Sequence, residues 1–175
     1  IRAWIALLPN LQRVEMGASS LAIPELAALS QEFPEILFFQ EVDVQGHAIA
    51  NDCLELDLSG IPLTKAEVKE LLPCFPMAER VIMIGCGLDD ETMDSLNHEY
   101  EGIRFIWTVR IKNVEIRTDT KWFYPFKYQK NMVVVEEDLY PLRYCVDIEA
   151  IDIGHMTQVK TMEWARHMPN LRYLV

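Results

Sequence analysis

Cysteine, histidine and the acidic residues are the side chains here that could do nucleophilic, acid–base or metal chemistry. The chain has four cysteines and four histidines. A Cys–His dyad needs hydrogen-bond reach between the two groups and a third group to orient the base. Cys145 and His155 flank Asp152, but they meet only if the fold brings them together. His47 follows a turn, and His98 and His167 stand late in helical segments, where a cation suits the helix dipole. Cys53, Cys74, Cys86 and Cys145 have no CxxC spacing and no clustered histidine, so they read as small buried thiols rather than a zinc site. Asp89, Asp90, Glu91 and Asp94 form an acidic group, but it lacks calcium-loop spacing and stands where a helix begins; capping and dipole effects explain it more simply. No glycine-rich phosphate loop and no nucleophile elbow is present. The expectation is a protein that is not an enzyme, with no cofactor and no metal.

Binding chemistry is better represented. Lys121, Trp122, Phe123, Tyr124, Phe126, Lys127 and Tyr128 belong to a ten-residue stretch, 121–130, with five aromatics and three lysines. Trp and Tyr are common interface anchors. The competing reading is that these rings fold back and bury their own segment. Rings interleaved with lysines also suit single-stranded nucleic acid. The formal charge of −11 argues against that partner, because an acidic chain repels phosphate. The charge is uneven: from Arg104 to Lys130 seven basic residues face two acidic ones, which leaves −16 for the rest. A second candidate is the set of outward positions in short L-x-L strands, Glu15, Asp57, Ile82 and Asp152. Three of the four are acidic, which fits either a basic partner or a solvated row of charges. An unidentified protein or peptide is the expected partner, with no nucleic acid.

These residues need elements to hold them. With 175 residues, half of them hydrophobic and a quarter charged, the chain can build one globular core. No apolar run approaches the roughly 18 residues of a membrane span. No signal peptide is visible, and the first residue is Ile1 rather than Met, which suggests that a leader or an upstream segment was removed.

Sliding the chain along itself until Pro9 falls on Pro76 also lays Arg13 on Arg80, Val14 on Val81, Met16 on Met83, Glu32 on Glu99, Ile36 on Ile103 and Phe38 on Phe105. Inside this block is a shorter unit of the form L-x-x-L-x-L-x-x-N/C-x-L. Leu11, Val14, Met16, Ser19 and Leu21 make one copy; Cys53, Leu56, Leu58, Ile61 and Leu63 a second; Ala78, Val81, Met83, Cys86 and Leu88 a third. Ile148, Ile151, Ile153 and Met156 begin a fourth, and Leu171 and Leu174 a fifth. Alternation places every second side chain on one face of a short strand. Helices follow. Thr64 and Glu67 have capping-box spacing, Asp89 suits an N-cap, Pro24 suits a first turn, and 160–167 is a last helix.

The runs Ile36–Val44 and Ile103–Ile111 alternate for longer and read as two longer strands, with hairpin turns at Gln45-Gly46 and Lys112-Asn113. Unit starts at Leu11, Ile36, Cys53, Ala78, Ile103, Ile148 and Leu171 give spacings of 25, 17, 25, 25, 45 and 23. The step of 45 reads as 17 plus a 28-residue inserted loop, at about 118–145, which holds the aromatic stretch.

The chain resembles the bacterial leucine-rich-repeat proteins, in particular a group common in gut Firmicutes. The resemblance rests on Leu56-Asp-Leu-Ser-Gly-Ile-Pro-Leu63, on Phe105-Ile-Trp-Thr-Val109 leading to Arg117-Thr-Asp-Thr120, and on Tyr144-Cys145 followed by Ile151-Asp-Ile-Gly-His155. It implies an α/β leucine-rich-repeat solenoid, with short parallel strands alternating with helices. The expectation is one such domain over 1–175, cut at both ends. The resemblance also implies protein or ligand binding without a cofactor, in a secreted or cell-envelope protein, with a cytoplasmic one left open. The alternative is a structural segment that self-associates through the edge at Leu171–Val175.

Overall fold

The computed structural model describes residues 2–17, 20–128, 132–154 and 156–175, and only the backbone of Phe126 and Tyr128. Ser19, placed in a repeat copy by sequence, and His155 of the dyad reading lie outside the described residues. The chain is α/β and divides into two compact units, 1–88 with 99–105 and 89–98 with 106–175.

The first unit begins with a short helix, α1 (Arg2–Ile5), then β1 (Arg13–Glu15) and α2 (Ile23–Glu32). Pro24 stands in the first turn of α2, where its missing N–H is no loss, and Leu26 and Leu29 are buried. β2 (Leu37–Phe39) pairs parallel with β1, Val14 opposite Phe38. β3 (Glu41–Val44) and β4 (His47–Ala50) form an antiparallel hairpin. Its turn residues Gln45 and Gly46 have φ of 51° and 88°, the two left-handed positions of a type I′ loop. β5 (Glu55–Asp57), β6 (Arg80–Ile82) and β7 (Arg104–Ile106) make a three-stranded sheet in that order, with Leu56 opposite Val81. Between β5 and β6 lie α3 (Lys65–Leu71) and the 3-10 helix Leu72–Cys74. The capping box at the start of α3 is reciprocal: Thr64 N donates to Glu67 Oε2 at 2.7 Å, and Glu67 N donates to Thr64 Oγ1 at 3.3 Å. The Thr64 hydroxyl also donates to Glu67 Oε2 at 2.7 Å, and this bond, with that from Thr64 N, holds the Glu67 carboxyl below its ordinary range. Leu26, Phe38, Leu56, Val68, Val81 and Phe105 are fully buried and form the core of this unit.

The second unit takes α4 (Asp90–Glu99), all but its last residue, and the antiparallel hairpin β8 (Thr108–Ile111) with β9 (Val114–Arg117). Lys112 accepts a left-handed φ of 57° at the turn. Asp89 Oδ1 accepts from Thr92 N at 2.8 Å and caps α4; hydrogen bonding from the Thr92 side chain and backbone lowers the pKa of Asp89. Then follow β10 (Trp122–Phe123), α5 (Pro125–Tyr128), α6 (Glu136–Leu139), the 3-10 helix Tyr140–Tyr144, β11 (Ala150–Ile151), the 3-10 helix Glu163–His167 and β12 (Tyr173–Leu174). The core of this unit gathers Val109, Ile111, Ile116, Phe123, Leu142, Ile151 and Trp164.

The shift that lays Pro9 on Pro76 also carries the bounds of β1, α2, β2, β3 and β4 onto those of β6, α4, β7, β8 and β9. The run Ile36–Val44 is nonetheless not one strand, because it changes partner at Gln40. Asn51, completely buried, accounts for the backbone groups released there. Gln40 N donates to Asn51 Oδ1 at 3.0 Å, and Asn51 N donates to Gln40 O at 3.2 Å. The Asn51 amide then donates to Phe38 O (2.9 Å) and Cys74 O (3.0 Å). The run Ile103–Ile111 breaks in the same way at Trp107. Its N donates to Thr118 Oγ1 at 3.2 Å, and Thr118 N donates to Trp107 O at 2.9 Å.

The α/β class therefore stands, but the leucine-rich-repeat solenoid does not. Among the described residues the parallel strands fall into three separate sheets, β1-β2, β5-β6-β7 and β10-β11-β12, and antiparallel hairpins form two more. The physical reason is the partner change at Gln40 and Trp107, which diverts the chain from parallel pairing into a local hairpin. The inserted loop is corrected too. Trp122–Phe123 is a strand paired parallel with β11. Lys121 O accepts from Glu149 N and Ala150 N, as Leu54 O accepts from Glu79 N and Arg80 N. The same shift lays Leu54 on Lys121 but Glu79 on Val146, whereas the equivalent bond is made by Glu149. The second copy is thus longer by three positions, not by the expected insert. The expected last helix over 160–167 is a 3-10 helix confined to Glu163–His167.

The buried clasp at the partner change yields a prediction. Asn51→Ala orphans Gln40 N and two carbonyls, and is expected to cost about 3 kcal/mol of unfolding free energy in urea titrations; Thr118→Val, which orphans one N–H, should cost about 1–2 kcal/mol. A loss below about 0.5 kcal/mol for Asn51→Ala would show that the clasp contributes nothing.

Candidate binding face

The sheet β10-β11-β12 brings part of each sequence candidate onto one surface. Its strands are parallel and in register: Trp122 faces Ala150, which faces Tyr173, and Phe123 faces Ile151, which faces Leu174. Successive side chains on a strand point to opposite faces. Phe123 and Ile151 point into the core and are almost wholly buried. Trp122 and Tyr173 point outward, 72% and 68% exposed, with the half-buried Ala150 between them. Two strand spacings set the ring-bearing backbones about 9–10 Å apart. The result is a trough with aromatic walls and a methyl floor.

The next outward positions are Tyr124, Asp152 and Val175. The ladder continues to them: Asp152 N donates to Phe123 O at 3.0 Å, Val175 N to Ile151 O at 3.0 Å, and Ile153 N to Val175 O at 2.8 Å. Asp152 Oδ1 accepts from Gly154 N at 3.1 Å. A Cβ on Gly154 would lie 3.3 Å from Val175 Cγ1, so the absence of a side chain there lets Val175 approach. On the rim, Lys121 Nζ lies 3.0 Å from Glu149 Oε1, and this contact holds the Glu149 carboxyl below its usual range. Such a face can stack rings or apolar groups on Trp122 and Tyr173 and accept a hydrogen bond at Asp152.

Of the aromatic stretch, then, Lys121 stands on the rim, Trp122 and Tyr124 on the face, and Phe123 in the core. Phe123 is unavailable to a partner. Lys127 is exposed on α5, and the side chains of Phe126 and Tyr128 lie outside the described residues. The expected strand-face residues are distributed over three sheets, with Asp57 and Ile82 paired across β5 and β6. Glu15 on β1 pairs with Arg13 at 2.6 Å. Asp57 on β5 accepts from Ser59 N at 2.9 Å. Ile82 on β6 is buried. Asp152 stands beside Trp122 on the face described above, where its N donates to Phe123 O. Sequence reading missed Ala150 and Tyr173, although each stands two residues after a unit start, at Ile148 and Leu171. That common position was the signal.

The groups suited to catalysis have other surroundings. Cys74, Cys86 and Cys145 are buried, and burial pushes the Cys74 thiol up to about 11. Cys145 Sγ faces Arg117 O at 3.9 Å. His98 is exposed, with Nδ1 2.9 Å from Asp94 O. In the acidic group Asp89 caps α4, Asp90 Oδ1 accepts from the Trp107 indole at 2.8 Å, and Glu91 Oε1 accepts from the Tyr144 hydroxyl at 3.2 Å. Burial raises the pKa of Asp90 despite that bond. Among the described residues no three His, Cys, Asp or Glu side chains converge at metal-binding range. No helix of the described residues is long and apolar enough to cross a membrane. The chain matches no family model, no curated protein and no solved structure.

The opposed orientations of neighbouring residues in β10 can be measured. Phe123→Ala is expected to cost about 3–5 kcal/mol of unfolding free energy, while Trp122→Ala stays within about 0.5 kcal/mol of wild type. Equal losses in urea titrations would contradict the assignment of Trp122 to the outer face.

Proposed function

We propose that the chain is a non-catalytic binding module whose β10-β11-β12 face takes a protein or peptide partner. The observation that carries this reading is the register of Trp122 and Tyr173, both exposed, across Ala150. Exposed rings of this kind serve as contact anchors because they bring large amphipathic area at little entropic cost. The acidic balance of the chain favours a protein or peptide over nucleic acid. The groups suited to catalysis support the same reading, since the acids act as helix caps and indole or hydroxyl acceptors and the thiols of Cys74, Cys86 and Cys145 are buried.

A second reading is a structural segment that self-associates. It is favoured by β12, which ends the sheet order and carries the exposed Tyr173, Leu174 and Val175.

Selection of displayed random peptides on the immobilised protein tests the first reading. Peptides enriched on wild type should lose about 2 kcal/mol, some thirtyfold, on Trp122→Ala or Tyr173→Ala. Enriched peptides that bind both variants as they bind wild type would sink the face as the site. Sedimentation equilibrium separates the second reading: a clean monomer at high concentration excludes it, and a dimer abolished by Tyr173→Ala supports it.

A further inference from the structure

The unit that holds β5 and β6 has a groove of about 510 Å³ where the chain enters its three-stranded sheet. Leu54 precedes β5, Met77 and Glu79 precede β6, and Tyr100 and Glu101 lie ahead of β7. The parallel register sets these entry segments side by side. Backbone bonds fix their spacing: Glu79 N donates to Leu54 O at 2.9 Å, and Arg104 N to Glu79 O at 2.8 Å. The volume falls in the range of ordinary ligand clefts.

The lining is apolar on its floor. Leu54 is 55% exposed and Met77 44%, and Pro76 and Tyr100 stand beside them. A single exposed leucine needs no explanation, but two large aliphatic side chains sharing a groove form a patch. The ionisable side chains that line it are carboxylates, Glu79 and Glu101, apart from the Tyr100 phenol; no basic residue lines it. Neighbouring acids are neutralised. Glu55 pairs with Arg80 at 3.0 Å, and Glu99 pairs with Lys69 at 2.5 Å and with Lys65. Among the described residues neither Glu79 nor Glu101 joins an ion pair. The unit as a whole carries fourteen acidic residues against six basic, a net −8.

We propose that this groove docks a cationic amphipathic segment of a partner protein. An aliphatic or aromatic side chain of that segment rests on Leu54 and Met77, and its flanking lysine or arginine meets Glu79 and Glu101. Met77 suits the role because an unbranched thioether adapts to the shape of its occupant. The two carboxylates also reject acidic segments, since like charges across an interface oppose binding. This site is independent of the proposed Trp122 face, and either can fail alone.

The test uses two short synthetic peptides of equal charge, one of leucine and lysine and one of serine and lysine, titrated into the full chain by calorimetry. The leucine peptide should bind at least about tenfold more tightly than the serine peptide. Leu54→Asp with Met77→Asp should abolish that preference even though it makes the protein more acidic. Attraction by net charge alone predicts the opposite, tighter binding. Glu79→Gln with Glu101→Gln, both on the surface, should weaken the leucine peptide about tenfold, whereas Glu35→Gln with Glu41→Gln should change it little. Equal binding of the two peptides, or equal effects of the two glutamine pairs, overturns the proposal.

Discussion

A strand can leave a parallel ladder for a hairpin only if the backbone groups at the point of departure find new partners. Asn51 is the group that permits it in the first unit. It is wholly buried, and its amide side chain reaches Gln40 N, Phe38 O and Cys74 O. One side chain thereby ties the end of β2, the start of β3 and the 3-10 helix after α3. Gln40 carries the tie further. Its side-chain carbonyl accepts from Leu21 N, and its amide donates to Leu21 O, both at 2.8 Å. The segment before α2 is thus set by the same clasp.

The second unit solves the same problem with different chemistry. Thr118 can satisfy Trp107 N and O, but it has no amide with which to reach a third segment. The long reach comes from Trp107, whose indole donates to Asp90 and anchors the start of α4. Its ring also lies 5.8 Å from the ring of Tyr144. An asparagine–glutamine clasp and a threonine–tryptophan clasp hold equivalent corners, which is why the bounds of the two hairpins superpose by one constant shift although their residues differ.

Local chemistry was legible in the sequence because it depends on neighbours a few residues away. The capping box of Thr64 and Glu67, the cap at Asp89 and the turn at Gln45-Gly46 all follow from spacing and side-chain type. The change of strand partner was not. Hydrophobic alternation reports which face a side chain takes, not which strand lies beside it, and the alternation of burial over 36–44 runs on through Gln40. A polar residue at an inward position was the trace of the clasp. β10 was hidden for a related reason. It is two residues long and offers one inward side chain, Phe123, too few to show a period among the aromatics around it. With no unit start recognised between Ile103 and Ile148, the spacing read as an insertion what the backbone bonds place in a strand.

The candidate face differs from its counterpart in one respect that bears on its use. The shift that lays Arg13 on Arg80 lays Glu55 on Trp122, and Glu55 faces Arg80 across β5 and β6. There the outward row is charged, and Glu55 and Arg80 pair at 3.0 Å. An ion pair of this kind is worth little in stability, but it leaves Glu55 and Arg80 partnered with each other. The equivalent row in the second unit, Trp122 opposite Ala150 opposite Tyr173, has no such closure. Two large rings stand apart over a methyl group, too widely spaced to cover each other, and their apolar faces stay in water. Burying such a ring is favourable by about 25 cal/mol for each Å² withdrawn from water. Within the chain that free energy goes unused, whereas a partner that filled the trough would collect it from both rings at once.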